Sequence, residues 1–101
     1  DVEVADNEDP TATLVAGTVT VDLDANGDYS LALTDVLSSS SDNCGVASEA
    51  LTDAAGVAMA YDFDCNDVGT TQTVYVTITD NNNNTITVSK DVEVADVIFD
   101  I

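Results

Sequence analysis

The chain has one basic residue, Lys90, no arginine, no histidine and no tryptophan, and only one proline and two cysteines in 101 residues. Each shortage excludes something. Without clustered Lys or Arg, nothing can neutralise a phosphate backbone or grip an anionic leaflet, so nucleic acid and direct membrane binding are excluded as partners. Without histidine there is no Ser-His or Cys-His catalysis, no His-ligated zinc and no ordinary proton shuttle near pH 7. No apolar run approaches the ~20 residues that span a bilayer, and no basic, apolar, cleavable leader opens the sequence. The expectation is a soluble, unanchored segment with no catalytic site.

What is present is acid. Twenty Asp and Glu give a formal charge of −19, yet 45% of the residues are hydrophobic, enough to fill a core and too many for an acidic disordered chain. The length suits one domain. Repulsion among so many carboxylates opposes compaction unless cations compensate, so a cation requirement is expected.

The hexapeptide Asp1-Val2-Glu3-Val4-Ala5-Asp6 returns as Asp91-Val92-Glu93-Val94-Ala95-Asp96, 90 residues later. A match at both ends reads as one period of a tandem array: 1–6 finish a preceding unit, 7–96 form one unit and 97–101 begin the next. The plainer alternative is two similar acidic, Val-rich strands. Between the ends, period-two alternation marks Thr18–Leu23, Tyr29–Leu33, Val74–Ile78 and Ile86–Val88 as half-buried strands, with weaker ones over 46–52 and 57–63. Ala25-Asn26-Gly27-Asp28, Ala55-Gly56 and Asn81–Asn84 supply turn chemistry. The span Asp53–Met59 has some helical propensity but is short and broken by a glycine. The pattern predicts an all-β fold, an immunoglobulin-like antiparallel β-sandwich of about seven strands.

Cys44 and Cys65 allow only one intrachain pairing, which in a secreted domain would close a 22-residue segment and add roughly 3 kcal/mol. Two buried reduced thiols are the alternative. They form no C-x-x-C motif and no basic residue lies near them in sequence, which argues against a reactive thiol.

Ser41-Asp42-Asn43-Cys44-Gly45-Val46-Ala47-Ser48, Asp62-Phe63-Asp64-Cys65-Asn66-Asp67-Val68-Gly69, and Val74–Thr79 followed by Asp80-Asn81-Asn82-Asn83-Asn84 carry a resemblance. So does Val21–Asp28. Together these segments, over residues 19–96, resemble hyalin-repeat (HYR-like) domains, in the form found in tandem repeats of Bacteroidetes cell-surface adhesins, including the SprB-type gliding adhesins. The resemblance implies an extracellular, immunoglobulin-like stalk module with Cys44 and Cys65 bridged, and it names no ligand. Two features depart from it. A second cysteine pair common in such repeats falls near Leu14 and Val88, where a hydrophobic contact would replace it, and a glycine common in the last turn is Asn83 here.

Calcium prefers several oxygen ligands brought together by turns. Three clusters offer them: Asp6, Asn7, Glu8 and Asp9 at the joint; Asp42 and Asn43; and Asp80, Asn82 and Asn84. In an antiparallel sandwich all three are expected at the pole where the chain comes in. Asp96 and the Asp24/Asn26/Asp28 turn would face them from the neighbouring unit's opposite pole. Solvated acidic turns without metal are the alternative. Asp24 to Asp35 mimics an EF-hand spacing, but glycine is one place early and Ala32 stands at position nine, so a hairpin turn is expected. Lys90 is in phase with Ile86, Val88, Val92 and Val94. Either its ammonium faces the apolar side, where a Lys–Asn isopeptide cross-link is conceivable, or a bulge near 89–91 turns it to solvent.

The expected function is a non-enzymatic, calcium-stiffened spacer in a cell-surface adhesin, with neighbouring similar repeats as partners and any polysaccharide or protein ligand held elsewhere in the chain. Two rivals remain. A carbohydrate-binding module would use Tyr29, Tyr61, Tyr75, Phe63 or Phe99 to stack on sugar. A self-assembling filament subunit would lend the hexapeptide strand to a neighbour by β-augmentation.

Overall fold

A computed structural model describes residues 9–42 and 45–95. Among these residues eight strands are present: β1 (Thr11–Leu14), β2 (Val19–Asp22), β3 (Tyr29–Ser30), β4 (Leu37–Ser41), β5 (Val46–Thr52), β6 (Asp62–Phe63), β7 (Thr71–Asp80) and β8 (Thr85–Ala95). Among the described residues, helix is confined to one turn, α1 (Leu33–Val36), and a 3-10 turn at Cys65–Asp67. The chain is therefore all-β, as its alternation predicts.

The largest sheet has the order β2-β8-β7-β5, with β2 parallel to β8 and the other neighbours antiparallel. Two-stranded sheets β1-β4 and β3-β6 complete the fold. Alternation decides which side is buried: Val74, Val76 and Ile78 of β7 are fully enclosed, whereas Thr73, Tyr75, Thr77 and Thr79 between them face the other way. Val92 and Val94 of β8 and Val19 and Val21 of β2 extend the same apolar face. Leu23, Leu31, Val36, Leu37 and Phe63 belong to the same core cluster. Each such side chain contributes roughly 1.5–3 kcal/mol when fully buried. That burial opposes the repulsion of the carboxylates.

Tyr29–Leu33 departs from the strand predicted there. The strand stops at Ser30 because Asp35 Oδ2 accepts both the Tyr29 hydroxyl (2.6 Å) and the Ala32 amide (2.8 Å), turning the chain into α1 before β4 resumes it. The weak strand over 57–63 shrinks to an isolated bridge between Thr52 and Ala58 and the two residues of β6. Asp53–Met59 is a turn and not a helix. Strand β4 is hidden in the sequence by its serines, Ser38–Ser41, of which Leu37 alone anchors the strand in the core.

Three turns share one design. Asp24, Asp53 and Asp80 each open a five-residue loop. In each loop the carboxylate oxygen Oδ1 accepts the amides two and four residues on, at 2.8–3.1 Å. The fourth residue takes positive φ: Gly27 (80°), Gly56 (86°) and Asn83 (67°). Asparagine tolerates that region, which is why it can stand where the other two turns have glycine.

Chain direction defines two poles. At the N-terminal pole Thr11 pairs with Ser41, Val46 with Asp80, and Asn81 donates its amide to the Gly45 carbonyl (3.2 Å). At the C-terminal pole β2 and β8 end together, Asp22 opposite Ala95, beside the Asp24–Asp28 turn and the Cys65–Asp67 turn. The first described strand starts at one pole and the last ends at the other. The ten residues of β7 set about 30 Å between them.

Candidate functional site: the two poles

Five of the expected cation ligands fall among the described residues, and all five are at the N-terminal pole. Asp9 is exposed and precedes the buried Pro10 at the start of β1; Asp42 is half-buried after β4; Asp80, Asn82 and Asn84 form the β7–β8 turn. Asp6, Asn7, Glu8, Asn43 and Asp96 lie outside the described residues. The Asp24/Asn26/Asp28 turn is at the opposite pole, where sequence reasoning put it, but it is not the expected hairpin: β2 pairs with β8 and β3 with β6, so the turn carries the chain from one sheet to another.

Asp80 has a structural task that the sequence reading did not assign. Its side chain is fully buried; Oδ1 accepts the amides of Asn82 and Asn84 (both 2.8 Å) and Oδ2 accepts the Asn84 side-chain amide (3.0 Å). Two oxygens that hold three N–H groups act as the clamp of their own turn. The signal was in the sequence: Asp24-Ala25-Asn26-Gly27, Asp53-Ala54-Ala55-Gly56 and Asp80-Asn81-Asn82-Asn83 are one pattern read three times. Among the described residues, no three acidic or cysteine side chains converge on a point that could hold a metal ion.

The Cys44–Cys65 pairing involves Cys44, which lies outside the described residues. Cys65 is exposed at the C-terminal pole, packed on the Asp24–Asp28 turn: its Sγ lies 3.9 Å from the Gly27 carbonyl oxygen.

No bulge interrupts the β7–β8 register around Lys90, which is directly opposite the buried Val74 and is itself half-buried. Its stem therefore follows the apolar face, as strict alternation requires. A hollow of about 290 Å3 opens there, lined by Gly17, Thr18, Ser89, Lys90 and Asp91. Lys90 and Asp91 are successive strand residues on opposite faces, so the hollow does not aim them at one point.

None of the described aromatics is exposed. Phe63 is in the core; Tyr29, Tyr61 and Tyr75 are half-buried, and the Tyr61 hydroxyl donates to the Thr52 carbonyl and accepts the Tyr75 amide. Phe99 lies outside the described residues. Residues 91–95 are paired on both sides, with β7 over 91–93 and with β2 over 92–95, so this copy of the hexapeptide has little free edge to lend to another subunit.

Comparison with protein-family models, with curated proteins and with solved structures finds no match.

Proposed function

We propose that this chain is one unit of a tandem array, an extracellular spacer module in a cell-surface adhesin of the hyalin-repeat type. The observation that supports it is the placement of the first and last described strands: β1 begins at one pole with Thr11 and β8 ends at the other with Ala95, with β7 and β8 running the full length between. A unit so built adds its length to an array, because each following unit starts where the last one stops.

The finer architecture belongs to the same proposal. Taking β3 and β4 as two halves of one strand interrupted by α1 leaves seven strands. Sheet β2-β8-β7-β5 faces the strands β1, β3/β4 and β6 in the manner of an immunoglobulin-like sandwich. The pairing of β1 with β4 in one sheet and of β2, in parallel, with the last strand in the other supports this reading.

Calcium at the joint completes it. The donors are oxygen only, which suits a hard cation. With Asp80 committed to its turn, the cation rests on Asp9 and Asp42 together with Asp6 and Glu8, and it would offset repulsion from the acidic pole of the preceding unit. Immunogold labelling of intact cells with antibody to this chain tests the function. Label on thin surface fibres without permeabilisation is expected, and label seen only after permeabilisation would contradict it.

A further inference from the structure

We infer that Cys65 of one unit is bonded to Cys44 of the next, so that the array is stapled across its joints and not within its units. This rests on the tandem reading above. Gly45, the residue after Cys44, is at the N-terminal pole, where its carbonyl accepts the Asn81 amide (3.2 Å) and a Cβ on it would lie 2.7 Å from the Asn81 side chain. Cys65 is at the C-terminal pole, against Gly27. Successive Cα atoms are about 3.8 Å apart and a disulfide needs its two Cα atoms within about 7 Å. A bridge inside one unit would have to span the roughly 30 Å length of β7. Across a joint, Cys65 of one unit and Gly45 of the next belong to facing poles.

The electrostatics oppose a joint held by contact alone. Asp9, Asp42 and Asp80 crowd one pole and Asp24, Asp28, Asp64 and Asp67 the other, so two poles brought together repel. A disulfide holds them regardless of ionic strength. Cys65 is exposed, as a residue that must meet a partner has to be. The chemistry is thiol–disulfide exchange with a low-molecular-weight disulfide as oxidant. The Cys65 thiolate attacks it, forming a mixed disulfide and releasing one small thiol. The Cys44 thiolate of the next unit then attacks Cys65 Sγ and releases the second small thiol. Two protein thiols are oxidised, one small disulfide is reduced, and the two thiol protons pass to the two released small thiols.

Two variants of the chain separate the possibilities. Cys44→Ser leaves only Cys65, and Cys65→Ser leaves only Cys44. The two are mixed in equal amounts with oxidised glutathione and resolved by non-reducing electrophoresis and intact mass. The mixed dimer is expected to exceed either homodimer by about tenfold, against about twofold for random pairing. The unaltered chain treated alike should give a ladder of disulfide-linked multimers. Random dimer ratios, or an unaltered chain recovered as a monomer two hydrogens lighter, would overturn the inference. Either result leaves the surface labelling unaffected, so this staple and the spacer reading can fail separately.

Discussion

Gly27 and Cys65 are in direct contact: a Cβ built on Gly27 would lie 2.6 Å from Cys65 Sγ. The contact ties the turn that follows β2 to the 3-10 turn that precedes β7, and it fixes where the thiol points. Gly17 has nearly the same φ (75° against 80°) but nothing within 4 Å of its missing Cβ. The two alanine variants therefore separate backbone strain from displacement of the thiol. Both Gly17→Ala and Gly27→Ala should cost about 1–2 kcal/mol in denaturant melts, the penalty of a left-handed L-residue. In a Cys44→Ser background only Gly27→Ala should speed alkylation of Cys65, because the new methyl pushes the exposed sulfur off the turn. Equal alkylation rates would show that the contact does not hold the thiol.

The three clamped turns should not be equal. Asp80→Ala removes a fully buried carboxylate that accepts three N–H groups of its turn and is expected to cost about 2–3 kcal/mol in urea unfolding. Asp24→Ala removes the same kind of clamp in an exposed turn, where water replaces it, and should cost under about 1 kcal/mol. Asp80→Asn, which keeps an acceptor oxygen, should fall between the two.

Tyr61→Phe removes a hydroxyl that bridges the Thr52 carbonyl and the Tyr75 amide, joining the end of β5 and the following loop to β7. The expected loss is about 1–3 kcal/mol in equilibrium unfolding. A loss near zero would mean that water takes over both partners.

Alkaline pH should act through Tyr29. Its hydroxyl donates to Asp35 Oδ2; that hydrogen bond, then burial, then the carboxylate charge raise its pKa from 10.0 to about 12. The folded state holds the phenolic proton more tightly than the unfolded chain. Its stabilising contribution is therefore complete below pH 10 and is lost as the pH rises toward 12. Denaturant midpoints measured across that window should fall more steeply for the natural chain than for Tyr29→Phe. Parallel slopes would contradict the assignment.

Much of this was legible in the sequence, for identifiable reasons. Val74–Ile78 and Ile86–Val88 alternate cleanly because one face of β7 and β8 is buried and the other is not. The turns at 24–28 and 81–84 announce themselves by Asp, Asn and Gly. Strand β4 was not legible, since Ser38–Ser41 carry no apolar period and are held by pairing with β1. Nor was α1, which depends on a carboxylate reaching back to Ala32 and Tyr29. At the poles, sequence reasoning placed Asp42 and Asp80 at one end. It could not see that Asp80 is turned inward, because charge alone does not tell a ligand from a turn clamp.

The central claim is that the unit lengthens an array. Small-angle scattering from chains of one, two and four joined units, in saturating calcium at physiological ionic strength, tests it most directly. The account predicts a rod whose maximum dimension grows linearly, by about 40 Å per unit from the length of β8 plus the pole turns. Its cross-section should not change. A maximum dimension that levels off with unit number, or the profile of a freely jointed chain, would contradict it.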